Sequence, residues 1–130
     1  MRLAAALIRA SSVIFGVVGL GYLLVPAAML SIVGIDSVAT TDFLMRTEGV
    51  ALFTGAGFLW AARDGRPDQL RLVLAALAGY YVLGSIVDLQ AFTKGIVGPA
   101  SVPSAVVRIA LGSVCALAVV RVIRESVAPA

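Results

Sequence analysis

The chain has 130 residues, 61% of them hydrophobic and 13% charged, with a mean hydropathy of +1.06. Soluble domains carry about 25% charged residues, so too little polar surface remains here to cover a globule, and bilayer is the expected solvent for most side chains. Ten basic and seven acidic residues are spread along the chain without the basic stripe that nucleic acid needs, and with no His and a single Cys (Cys115) an internal disulfide is excluded and zinc or haem has almost no ligands.

The first apolar run covers about residues 3–25 and stops at Pro26. At about 1.5 Å per residue it crosses a hydrocarbon core of ~30 Å. Arg2 ahead of an apolar stretch also fits the start of a signal peptide. Arg9 interrupts the run, however, and the run is longer than an h-region of about 7–15 residues, so a retained span is expected. Arg9 lies near the end, where its side chain can snorkel to the headgroups. Residues 27–35 are apolar but too few to span, and predict an interfacial or re-entrant piece closed by Gly34.

A second span is expected over residues 42–62, with Trp60 in the interfacial aromatic belt and with Arg46 and Glu48 inside it. The turn Arg63-Asp64-Gly65-Arg66-Pro67-Asp68 follows, Gly65 ending one helix and Pro67 opening the next. The third span covers about residues 70–92 and carries Tyr80, Tyr81, Asp88 and Gln90. Gly95, Gly98 and Pro99 break it. Ser101 and Pro103 supply the cap and first turn of a fourth span, to about residue 123, closed by Arg121, Arg124 and Glu125 ahead of a short tail.

The expected architecture is therefore all-α: one domain of four transmembrane helices in an up-down bundle. Arg2, Arg63, Arg66, Arg71, Arg121 and Arg124 fall on one side and only Lys94 on the loops of the other, which places both termini in the cytoplasm by the positive-inside rule. Nine of the ten basic residues are Arg, the bias of a high-GC bacterial source, so a multi-pass protein of a bacterial plasma membrane is expected.

That topology brings Arg46, Glu48, Asp88 and Arg108 to one slab of the outer leaflet, two cations and two anions whose charges cancel as burial demands. Such ion pairs often only hold helices together. The alternative is a site, with Glu48 or Asp88 as an acid–base group and Arg46, Arg108, Tyr80 and Tyr81 as binding groups. Arg46 and Glu48 are two residues apart, about 200° around a helix, so only one of them faces inward. Tyr80 and Tyr81 lie mid-span, where each hydroxyl needs a partner. Cys115, with no base near it, reads as a small core residue.

Small residues recur four apart at Ser12/Gly16, Ala51/Gly55, Gly57/Ala61, Ala75/Gly79 and Gly112/Ala116, which suits a compact bundle. Asp88 follows Gly84, and Gly112 follows Arg108, at the same spacing. The halves also echo one another: Ser31-Ile32-Val33-Gly34 precedes Arg46 much as Gly95-Ile96-Val97-Gly98 precedes Arg108, as two hairpins in a parallel repeat would.

The run Gly21-Tyr22-Leu23-Leu24-Val25-Pro26 and the Arg46-x-x-Gly49 opening of the second span resemble the small four-helix membrane proteins grouped as uncharacterised or DoxX-like. The outline covers most of the chain. Those families have no single established activity, so the resemblance implies a fold and no catalytic residue. In length and helix count the chain is also similar to small multidrug transporters, but these use a Glu in the middle of the first helix and the first span here has none.

Minimal loops and abundant small-residue faces suggest an accessory or stabilising subunit, without cofactor or metal, in a larger assembly such as lipid-transport or respiratory machinery. Its partners would be membrane lipid and a membrane protein or further copies of itself. Two alternatives are an enzyme or carrier for a lipophilic small molecule with a polar site at the outer leaflet, and an oligomeric transporter or channel. The balance leans away from an enzyme.

Overall fold

The computed structural model describes residues 2–127, with side chains described through Arg124. The short tail expected at the C-terminus and the Glu125 side chain lie outside the described residues. Five helices make up the fold: α1 Arg2–Leu24, α2 Pro26–Ile32, α3 Ala39–Ala62, α4 Pro67–Thr93 and α5 Ser101–Val127.

Local chemistry sets the breaks. Pro26 and Pro67 each stand at the first position of a helix, where a missing N–H costs nothing. The backbone N–H groups of Val38 and Arg66 donate to Thr41 Oγ1 and Gln69 Oε1, at 2.9 and 3.0 Å, fixing the starts of α3 and α4. Helix α2 closes at Gly34 and α4 at Gly95, with φ of 74° and 68°. Both ends are Schellman motifs: Gly34 N–H bonds Ser31 O and Ile35 N–H bonds Leu30 O, while Gly95 and Ile96 repeat the pattern on Phe92 and Ala91. The echo between the halves is thus Gly34-Ile35 with Gly95-Ile96, three residues out of step with the register read from sequence. Ser101 Oγ does not accept as a cap would; it donates back to Gly98 O at 2.8 Å, inside a helix that begins two residues before the expected position 103.

Three helices, Arg2–Leu24, Pro67–Thr93 and Ser101–Arg124, are long and apolar enough to cross a membrane. With 24 residues α3 has the length, but Asp42, Arg46 and Glu48 lower its apolarity and it is not one of them.

Helix α1 packs along α3, and α4 along α5, while the pairs meet mainly through α1 against α4 and α5. Among the described residues α3 and α5 make no contact. The pairs are antiparallel: Ser12 Oγ donates to Ala56 O at 2.7 Å between α1 and α3, and Ser85 Oγ to Ala105 O at 3.1 Å between α4 and α5. Tightest of all is the crossing of α1 and α3, where a Cβ on Gly19 would lie 2.8 Å from Phe53 N and one on Gly49 2.9 Å from Gly19 O. Two of the small residues picked out by spacing, Gly57 and Gly79, have nothing within 4 Å of such a Cβ and face outward.

The core occupies one half of the bundle. Ile8, Leu74 and Cys115 are its most completely buried members, packed with Ala4, Leu70, Leu77, Tyr81, Ala118 and Val122. This is the half where Arg9 Nη2 meets Asp64 Oδ1 at 3.0 Å and Arg63 lies over the Trp60 ring, Cζ to centroid 4.4 Å. Cys115 is 1% exposed. A maleimide reagent is therefore expected to leave it unmodified in the folded protein and to label it on unfolding; rapid labelling under native conditions would show this core to be wrong.

Candidate functional site

In the other half the helix pairs diverge around a cavity of about 460 Å³. It is lined from α1 by Phe15 and Tyr22, from α2 by Met29, from α3 by Met45 and Glu48, from α4 by Tyr80 and Tyr81, and from α5 by Arg108 and apolar neighbours. The segments joining each pair contribute Met29, Ile32, Val33 and Ala100 to its lining and touch one another. Gly98 N–H donates to Val33 O at 2.7 Å, and the backbones approach so closely that a Cβ on Gly34 would lie 3.2 Å from Gly98 Cα.

Arg46 and Glu48 separate as their spacing demands. Arg46 turns to the end of α1 and donates from Nη1 to Leu23 O at 3.0 Å, satisfying a carbonyl left open where Pro26 stops the helix. Glu48 faces the cavity. Because α3 begins at Ala39 rather than at 42, Glu48 lies about 14 Å along the helix at 1.5 Å per residue, deeper than the sequence suggested.

Arg108 and Asp88 form an ion pair between α5 and α4, Nη1 to Oδ2 3.5 Å, with side chains 29% and 26% exposed. The guanidinium reaches Asp88 by crossing Gly84, where a Cβ would stand 2.7 Å from Nη1. The Gly84–Asp88 spacing thus makes room for Arg108, whereas Gly112 serves close packing against Val82, Ala78 O and Tyr81. The pair neutralises Arg108. Glu48 is left over: among the described residues it has neither ion pair nor hydrogen bond.

The two mid-span tyrosines also part company. Tyr81, 3% exposed, donates to Ser11 Oγ at 3.0 Å and joins the core. The Tyr80 hydroxyl has no hydrogen-bond partner among the described residues, and neither has that of Tyr22. Phe15 meets Tyr80 in a tilted contact, centroids 4.9 Å apart, and Tyr81 edge to face at 6.1 Å, so that the three rings form one aromatic cluster.

The cavity therefore gathers four of the six candidate residues: Glu48, Arg108, Tyr80 and Tyr81. Asp88 acts through Arg108, and Arg46 lies outside. Phe15, Tyr22, Met29 and Met45 were not singled out from sequence. Tyr22 had a signal, a phenol within an apolar span one turn before the Pro26 break; the other three are apolar side chains that only the splaying of the helix pairs exposes. Among the described residues no group of His, Cys, Asp or Glu is placed to hold a metal ion.

Three helices of crossing length around an apolar cavity with a few polar groups define a small helical membrane protein. No family model, no curated protein and no solved structure matches the chain.

Proposed function

We propose that this protein binds a lipophilic small molecule within the membrane, as a carrier or binding protein, and holds its polar end at the face formed by Glu48 and Arg108. The cavity carries this reading. Its volume of about 460 Å³ falls among small-molecule sites, roughly 300–1,000 Å³, and it has their composition: apolar walls with a few convergent polar groups. The free hydroxyls of Tyr22 and Tyr80 offer further hydrogen bonds to a ligand.

In this proposal α3 is the fourth span. Its charges avoid hydrocarbon, Arg46 by bonding Leu23 O and Glu48 by facing the cavity. The arginines of the core-packed end lie in the cytoplasm with both termini, and the cavity is in the outer leaflet of a bacterial plasma membrane.

Ser104 lines the cavity, so Ser104→Trp fills part of it. Native mass spectrometry of protein purified in mild detergent is expected to find a small bound amphiphile on the wild type and none on the variant, at equal melting temperature. A wild type without bound mass that takes up no added amphiphile would sink the proposal.

A second reading, an accessory subunit, is favoured by Gly57 and Gly79, whose outward faces offer close approach to helices of another protein. Purification from native membranes should then retain a partner; a protein that always migrates alone counts against it.

A further inference from the structure

We infer that the ligand is a lipophilic cation, whose positive centre is held by the Glu48 carboxylate and the aromatic rings of the cavity. This rests on the binding role proposed above and names the chemistry of that same site.

Charge decides it. The cavity and its immediate surroundings hold one cation, Arg108, and two anions, Asp88 and Glu48. Asp88 takes Arg108 at 3.5 Å, Arg46 is committed to Leu23 O outside the cavity, and Lys94 caps the end of α4 and is not among the cavity's lining residues. Glu48 remains without an ion pair or hydrogen bond among the described residues. Glu48 is exposed on the cavity side of α3, and within a membrane a carboxylate there calls for a counter-charge. An anionic ligand would place a third negative charge around one guanidinium, and a neutral ligand would leave Glu48 uncompensated. A cation compensates it.

The walls suit the same ligand. Phe15 and Tyr80 meet with centroids 4.9 Å apart and ring planes tilted by 56°, and Tyr22 adds a third ring to the lining. Faces of this kind attract a desolvated cation, tertiary or quaternary ammonium included, without requiring an N–H donor. Met29 and Met45 add polarisable walls that adapt to shape. One anchoring carboxylate, aromatic faces and methionines recognise charge and apolar bulk rather than one outline.

The test is titration calorimetry in maltoside micelles with three amphiphiles of matched chain: dodecyltrimethylammonium, dodecyl phosphate and dodecanol. The ammonium is expected to bind at least about tenfold tighter than the other two. Glu48→Gln should abolish that advantage and leave dodecanol binding unchanged. Should that variant fail to fold, Asp88→Asn provides the second measurement: with Arg108 released, the preference for the ammonium should narrow and the phosphate should gain. Equal binding of all three by the wild type, phosphate binding tightest, or an ammonium preference that survives in Glu48→Gln or is unmoved in Asp88→Asn would overturn the cation and leave the binding role standing. No binding of any of the three would overturn both.

Discussion

Substituting Gly49 by Ala is expected to destabilise the protein by about 1–3 kcal/mol, and by Leu to prevent folding. A Cβ at this position would meet backbone: Gly19 O at 2.9 Å and Leu23 N at 3.0 Å. Neither can rotate away as a side-chain end would, so α1 and α3 must separate, and with them the contacts that hold one helix pair together. Ala also regains about 1 kcal/mol of helix propensity over Gly, which sets the lower limit of the range. The comparison that isolates the crossing is Gly57→Ala and Gly79→Ala. Both sites are open, so these two should be neutral or stabilising by up to about 1 kcal/mol. Denaturant titration in mixed micelles reads the difference. If Gly49→Ala unfolds with the midpoint of Gly79→Ala, the helices do not cross there.

The second large effect concerns the Arg108–Asp88 pair. Removing one partner of a buried pair costs about 3–5 kcal/mol, because the other charge is stranded. With both side chains about a quarter exposed, at 29% and 26%, a loss of about 2 kcal/mol is expected for Asp88→Leu alone. Arg108→Met should cost a similar amount, whereas the double variant should regain most of it, since neither charge is then left without its partner. Under the proposed binding role, ligand binding separates the two residues further. Asp88→Leu perturbs the site only through Arg108, but Glu48→Gln removes a group that faces the cavity and should leave stability nearly unchanged, or raise it. Strictly additive losses across the Asp88–Arg108 cycle would mean that the two side chains do not act as a pair.

Helix content was legible because apolar runs of bilayer length and proline breaks leave few alternatives. The charges were legible too: topology alone brought Arg46, Glu48, Asp88 and Arg108 to one end, and the 200° between Arg46 and Glu48 required that they part. Which of them turned inward was not. That depends on where α1 ends, because the open Leu23 carbonyl claims Arg46. The cavity was illegible for a related reason. Phe15, Met29 and Met45 look like core residues in any apolar run, and they line a space only because the helix pairs diverge above Tyr81. Small-residue spacing misled for want of direction: Gly57 and Gly79 satisfy it as well as Gly112 does, yet face outward, while Gly19 and Gly49 meet across helices where no spacing within one helix records the contact.

The backbone hydrogen bond from Gly98 to Val33 has a mechanical meaning. The helix pairs are clamped by a packed core at one end, and their connecting segments touch at the other through that bond, worth about 1 kcal/mol net. The molecule is built like a clothes peg, stiff at the spring and light at the jaws. In the proposed binding role, parting the jaws would break that one backbone bond and leave the core packed, so exchange of a guest would not require unfolding.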